Sequence, residues 1–242
     1  MRDDVTVLIP VSPIPSHPST EVIDETVASI RERLPESEII IMFDGLPAWF
    51  AEYKTAYDEF TQKLLWKINN EYGRATPLVF QEHSHQSLML KKALELVKTP
   101  VILFSEQDTP LHNEIPFEGL VPVVKTGYAN LIRFHHEAQI LDDHQHLMLD
   151  QSPIDILGQP FLRSRQWSQR PHLASTQYYR EIAEKYWDGE PRFIEHIMYG
   201  IVVDGEYDEH RLHIYAPEGT LVRHKHVDGR RKGANAYDPR PS

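Results

Sequence analysis

Three short runs, Val5–Pro10, Glu38–Phe43 and Val101–Phe104, are almost wholly apolar, rich in Val, Ile and Phe, and too short to be core helices. Apolar residues on consecutive rather than alternate positions mark strands buried on both faces, the condition of a parallel sheet covered by helices on each side. The intervening segments read as helices. Thr20 is a plausible N-cap before Ile23, Val27, Ile30 and Leu34 at helical spacing, with Pro35 as the stop. Trp49–Tyr72 and Leu88–Val97 are amphipathic helices, and Pro77–Phe80 is a further short strand. This alternation predicts a mainly parallel, doubly wound α/β sheet with right-handed crossovers. The strand ends at Pro10, Asp44 and Glu106 then gather on the edge where such sheets bind ligands.

The third run continues as Ser105-Glu106-Gln107-Asp108. Two acids one residue apart at the mouth of a buried strand are hard oxygen ligands suited to Mg²⁺ or Mn²⁺ carrying a diphosphate. A solvated acidic loop is the alternative.

After Leu111 the pattern changes. Gly127–His135 and Leu147–Leu149 read as strands around the polar turn Asp142–His146, and Pro160–Gln169 alternates in part. Ser175–Trp187 reads as a helix with Ser175 as N-cap, Pro191–Val203 as another, and Leu212–Tyr215 and Thr220–Arg223 as short strands. The 242 residues suit a single domain with a smaller mixed C-terminal region, 112–227, and a basic tail, 228–242. The chain has no cysteine, so disulfides and thiolate metal sites are excluded. No apolar run approaches the ~18 residues of a membrane span, and a cytoplasmic protein with no membrane span is expected. The formal charge of −11 argues against general affinity for nucleic acid or anionic membrane. Positive charge is nevertheless concentrated late: residues 159–180 hold four arginines and no acid, and Arg223, Lys225, Arg230, Arg231 and Lys232 follow.

A first strand ending in Ile9-Pro10, a second ending in Phe43-Asp44-Gly45, a helix carrying Lys91-Lys92-Ala93 and the run Val101 to Asp108 occur in this order. Together they resemble the GT-A glycosyltransferases, above all the family-2 type, which move a sugar from a nucleotide diphosphate to an acceptor. The last run is similar to the family's strand ending in Asp-x-Asp, with Glu106 in place of the first acid. The resemblance implies a Rossmann-like GT-A fold, with residues 1–111 as the nucleotide-sugar-binding half and 112–227 as the acceptor side. It implies a divalent metal, Mn²⁺ or Mg²⁺, on Asp108 helped by Glu106. Pro10 and Val11 are implied to line the nucleotide pocket and Asp44 to accept a hydrogen bond from the base, with Lys91 and Gln107 in the same nucleotide-binding set. The chain departs from the family at Gly45-Leu46-Pro47, where an acid or serine usually follows, and in a first loop stiffened by Pro13, Pro15 and Pro18. Both departures leave the nucleotide open.

Later residues complete the candidate set. His224 and His226, two apart, point to one face of a strand end, and imidazole is a competent third ligand for Mn²⁺. Arg230, Arg231 and Lys232, between Gly229 and Gly233, form a basic loop able to close over a diphosphate, or else a solvated tail. Glu195, among Phe193, Ile194, Ile197 and Met198, is the candidate base for an inverting transfer to an acceptor hydroxyl; a structural ion pair is the alternative. Arg163, Trp167, Arg170 and His172 form an aromatic and basic strip able to hold a sugar or a nucleic-acid acceptor, or an ordinary edge-strand surface. The expected function is a metal-dependent hexosyl- or pentosyltransferase whose acceptor is a glycan, a small molecule or a modified nucleic-acid base. A nucleotidyltransferase needs a Gly-rich basic loop after its first strand, and Val11–Thr20 contains no Gly, Lys or Arg. A nucleotide-sugar-binding module without turnover stays open because of Glu106.

Overall fold

The computed structural model describes residues 1–227; the predicted diphosphate ligands Arg230, Arg231 and Lys232 lie outside the described residues. Nine strands form one sheet in the order β3-β2-β1-β4-β8-β5-β9-β7-β6. Its first half is parallel: β1 (Val5–Val11) lies between β2 (Glu38–Phe43) and β4 (Val101–Phe104), with β3 (Ala75–Val79) outside β2. Alternate residues of these strands enter opposite layers. Val7, Ile9, Ile39, Ile41, Val101 and Leu103 pack with α1 (Glu21–Arg33) and α2 (Lys54–Asn70). Leu8, Ile40, Met42, Ile102 and Phe104 face α3 (His85–Ala93) and the later helices α5 (Thr176–Tyr186) and α6 (Ile194–Asp204). Burial on both faces is why these runs lack polar alternation. The chain reverses its winding between β1 and β4, and their carboxyl ends frame the crevice.

The second half is mixed. β8 (His172–Ser175) runs antiparallel between β4 and β5 (Leu131–Arg133), and β9 (Leu212–Tyr215) pairs parallel with β5. Since β5 and β9 run in the same direction as β4, the residues after Arg133 emerge on the same edge as Glu106. β7 (Gln159–Ser164) and β6 (Ile154–Ile156) close the sheet as a hairpin. Its turn, Leu157-Gly158, is left-handed at both positions (φ 53° and 76°), the geometry that matches the twist of paired strands.

Several expected elements change. The helix expected from Trp49 begins instead as a 3₁₀ turn, Ala48–Tyr53, with a break at Phe50 before α2 starts at Lys54. The expected 127–135 strand shortens to β5 because Gly127 occupies a turn (φ 77°), and residues 142–147 wind into a 3₁₀ helix rather than a hairpin turn. Leu147–Leu149 forms no strand beyond a bridge from Met148 to Ser164, and Thr220–Arg223 contributes only a bridge from Val222 to His135. Four elements were not expected: β6, β8, the short helix Tyr207–His210, and α4 (Phe117–Lys125), which contains Pro122. Five buried apolar side chains of α4 hold it against the sheet despite the proline. Ser175 caps α5 as expected, accepting from the Tyr178 amide at 3.3 Å.

Candidate active site

Asp44 leaves the end of β2 with 4 % of its surface exposed. Its carboxylate accepts from the backbone amides of Ser84 (2.7 Å) and His85 (3.2 Å) and lies 2.9 Å from His83 Nδ1. It therefore caps α3 from across the sheet, where a negative charge suits the orphan amides and the helix dipole. Gly45 makes this possible: a Cβ there would stand 2.2 Å from the carbonyl carbon of Glu82. Two backbone donors on a group with about four acceptor sites leave room for an N–H from a base. Gly45→Ala is expected to push the 82–85 loop off Asp44 and cost about 1–3 kcal/mol, read as a lowered denaturation midpoint; an unchanged midpoint would show that the loop moves freely.

The neighbouring strand ends are also tied together. Gln107 Nε2 donates to the Ser12 carbonyl (3.0 Å) and its own carbonyl accepts from Thr26 Oγ1 (2.9 Å), fixing the first loop against β4. Pro10 and Val11 are buried there, with the Val11 carbonyl accepting from the Asp44 amide at 2.9 Å. Lys91 is not brought to this edge. It sits exposed in the last turn of α3, donating to the Trp187 carbonyl (3.4 Å), because the Asp44-bound end of the helix is its N-terminus.

Residues 222–227 run antiparallel along 108–112, through Val227 N to Asp108 O (2.7 Å), Lys225 N to Pro110 O (2.9 Å) and His112 N to Arg223 O (2.8 Å). This pairing places His226 Nε2 3.1 Å from Asp108 Oδ2. His224 does not join them. It is buried, its Nδ1–H donates to the Lys225 carbonyl (2.9 Å), and its ring meets His136 edge-on at 5.3 Å, so of the two imidazoles expected at one site only His226 stands beside Asp108. Among the described residues no group of three or more His, Cys, Asp or Glu side chains is arranged to hold a metal ion. The donor chemistry nonetheless fits a hard divalent cation. Burial, then the charge of Asp108, pushes the Glu106 carboxyl up to about 8, and a divalent cation relieves such like-charge crowding.

Glu195 lies in the first turn of α6, where its Oε2 accepts from the Gln169 backbone amide (2.8 Å). Gln169 also touches Gln86 through its side chain, and Gln86 Nε2 donates to Glu106 Oε1 (2.7 Å). Turned toward α6, the Gln169 amide oxygen accepts from Ile194 N (3.1 Å) and Glu195 N (3.3 Å). Two glutamines thus connect Glu195 to Glu106, whose pKa Glu195 helps to raise.

The aromatic and basic strip is mostly not an acceptor surface. Trp167 is 1 % exposed and packs on His172, Tyr178 and Tyr179. His172 is fully buried between the Arg170 carbonyl (2.7 Å) and the Tyr179 hydroxyl, with its pKa lowered to about 4 by burial. Arg163, on β7, is committed to Asp150 (Nη2–Oδ1 2.7 Å). Only Arg170 stands at the edge, gripped by Glu137 at 2.6 and 2.7 Å. Glu137 also meets His135 Nε2 and His136 Nε2, each at 3.0 Å. Sequence reasoning missed this His-His-Glu cluster and buried Arg133, although they immediately follow a strand that opens onto the same edge. Gln86 and Gln169 carried no motif at all.

No protein-family model matches the chain, and no curated protein matches its sequence. Its fold does match solved structures. S. aureus TarS residues 1–349 superpose with a TM-score of 0.56 at 12 % identity, covering 91 % of this chain and 59 % of that one. GalNAc-T7, crystallised with UDP, GalNAc and Mn²⁺, gives 0.57 at 12 % identity over 90 % and 45 %. The mannosyltransferase PcManGT from Pyrobaculum calidifontis, in complex with GDP-Man and Mn²⁺, gives 0.52 at 13 % identity over 90 % and 56 %. The chain thus spans about half the length of these structures. Among the described residues no helix is long and apolar enough to cross a membrane. The sheet order, the winding reversal at β1 and β4 and these superpositions identify the architecture as the GT-A glycosyltransferase fold.

Proposed function

We propose that the chain is a metal-dependent glycosyltransferase that moves a sugar from a nucleotide-diphosphate donor to an acceptor hydroxyl, with inversion, and that Glu195 is its base. One observation carries this reading: Asp108 with His226, Glu106, and Glu195 share one sheet edge, joined through Gln86 and Gln169. Asp44, with the end of β1 and Gln107, forms the nucleotide side. Asp108, Glu106 and His226 would hold Mn²⁺ or Mg²⁺, which supplies charge neutralisation for the leaving diphosphate. The acceptor oxygen bonds the anomeric carbon as the bond to the diphosphate breaks, and the hydroxyl proton passes to Glu195. The α6 N-terminus and the Gln169 amide keep that carboxylate oriented and suited to negative charge. In UDP–GlcNAc-bound TarS and GDP-Man-bound PcManGT a nucleotide sugar occupies a fold of this kind, which supports the donor class.

Calorimetry with UDP, GDP and CDP tests the reading. A nucleoside diphosphate should bind tightly only with Mn²⁺ or Mg²⁺, because without the cation the Asp108 carboxylate meets its phosphates with like charge and Glu106, raised to about 8, offers them no counter-charge. Asp108→Asn should abolish the metal-dependent part. Equal affinity in EDTA and in Mn²⁺ would remove the metal site from the proposal.

A further inference from the structure

Arg133 ends β5 with its side chain buried at 2 % exposure. Its Nη1 donates to the neutral Gln166 side chain (3.0 Å), while Nε and Nη2 are enclosed and meet no hydrogen-bond partner among the described residues. Those two nitrogens form one edge of the planar guanidinium, the edge with which arginine grips an oxyanion through two parallel N–H bonds. A buried guanidinium without a counter-charge is costly, and most buried charges are paired. Here the acids that act on it, Glu195 and Glu137, do so through space, and Glu137 is engaged by Arg170. Burial and Arg170 lower Arg133 to about 9, which leaves it charged at neutral pH.

We propose that the unpartnered Nε/Nη2 edge of Arg133, with Arg170 adjoining, is a subsite for a phosphate or carboxylate group carried by the acceptor. This rests on reading the edge as a transfer site, with Glu195 beside the acceptor hydroxyl. Position favours the acceptor over the donor diphosphate. Arg133 lies on β5, beyond β4 and β8 from the nucleotide side, and its neighbour Leu131 packs in the same layer as Met198 of α6. Gln166, which occupies the remaining nitrogen, is only partly buried, so the approach to Arg133 passes a neutral, displaceable side chain.

The test is calorimetry in EDTA with glycerol 3-phosphate, glycerate and glycerol. One or both of the anions should bind and glycerol should not; the stronger anion identifies the acceptor group. Arg133→Met should weaken that binding about 10–100-fold, the loss of hydrogen bonds to a charged group, and Arg133→Lys should restore part of it. Binding of nucleoside diphosphate with Mn²⁺ should be unchanged in Arg133→Met. A folded Arg133→Met protein with wild-type affinity for the anions overturns the proposal, as does loss of diphosphate binding in that variant, which would assign the arginine to the donor. If Arg133→Met does not fold, a wild-type crystal with glycerol 3-phosphate decides: phosphate oxygens on Nε and Nη2 support the subsite, and phosphate elsewhere overturns it. Anion binding without any metal-dependent diphosphate binding would leave the subsite standing and defeat the glycosyltransferase reading; the reverse result would defeat the subsite alone.

Discussion

Below about pH 6 the protein is expected to lose most of its folding stability over one to two pH units. His17, His172 and His213 are buried, and desolvation lowers their pKa values to about 3, 4 and 4. In the unfolded chain each titrates near 6.5. The native state therefore refuses protons that the unfolded chain accepts, so each contribution is complete above about 6.5 and drains as pH falls toward the folded value. Each histidine removes up to about 1.4 kcal/mol per pH unit, or about 4 for the three, from a total that for a domain is about 5–15 kcal/mol. Glu106, raised to about 8, acts in the opposite direction, as one group against three. Urea denaturation at pH 7.5, 6.5, 5.5 and 4.5 measures the balance, with a midpoint nearly constant between the first two and falling steeply afterwards. A midpoint still unchanged at pH 4.5 would mean that these histidines are protonated in the native protein. His17 is stacked on Phe60 with ring centres 3.7 Å apart. Replacing it by Phe keeps the stack, removes the proton site and should flatten the net slope, two histidine-equivalents once Glu106 is counted, by about one half.

What the sequence made legible follows from how local each signal is. Ile39, Ile40 and Ile41 are all buried because both faces of β2 are covered, and a continuous apolar run reports that directly. The β2 boundaries agree residue for residue with the expected strand. β8 has no such signal: His172 and Ser175 make it look like surface, and only pairing with β4 and β5, distant in sequence, makes it a strand. The same limit misplaced Trp167 and His172. Their arginine-rich surroundings suggested a binding strip, but the residues fold inward onto Tyr178 and Tyr179 while the arginines find acids at Asp150 and Glu137. His224 and His226 differ for a further reason. Two-residue spacing implies a common face only within a regular strand, and this segment makes isolated bridges at Val222 and His224 rather than a strand. Glu106 and Asp108 were legible as neighbours because both directly follow β4 in the sequence, so the strand end fixes their place. The links between acids were not, since Gln86 and Gln169 are ordinary residues until α3 and α6 bring them together.

Glu195→Gln is expected to separate an enzyme from a binding module. The acids at the ends of β2 and β4 are already engaged: Asp44 by the 83–85 loop, Glu106 by Gln86 and Asp108 by His226. Glu195 is different. It stands in the first turn of α6 and is only partly buried; the hydrogen bond it accepts from the Gln169 amide would be retained by glutamine because that bond needs only an acceptor oxygen. The substitution therefore preserves the shape of the edge and the contact with Gln169 while removing the group that takes a proton. Donor nucleotide and Mn²⁺ should bind the variant as they bind the wild type, and the melting temperature should stay close to that of the parent. The transfer rate should fall by about 10²–10⁴-fold, the usual share of general-base catalysis. The drop belongs in kcat, because the proton moves only as the new glycosidic bond forms. Transfer near the wild-type rate would assign the proton to another group, with His196, exposed on the same helix turn, the next to substitute. Asp188 is less suited to that role, being an exposed partner of Arg192 at 3.4 Å. If the wild type itself binds donor and metal yet transfers to no acceptor across glycans, sugar phosphates and DNA, the chain is a binding module, and the buried acids of this edge serve recognition alone.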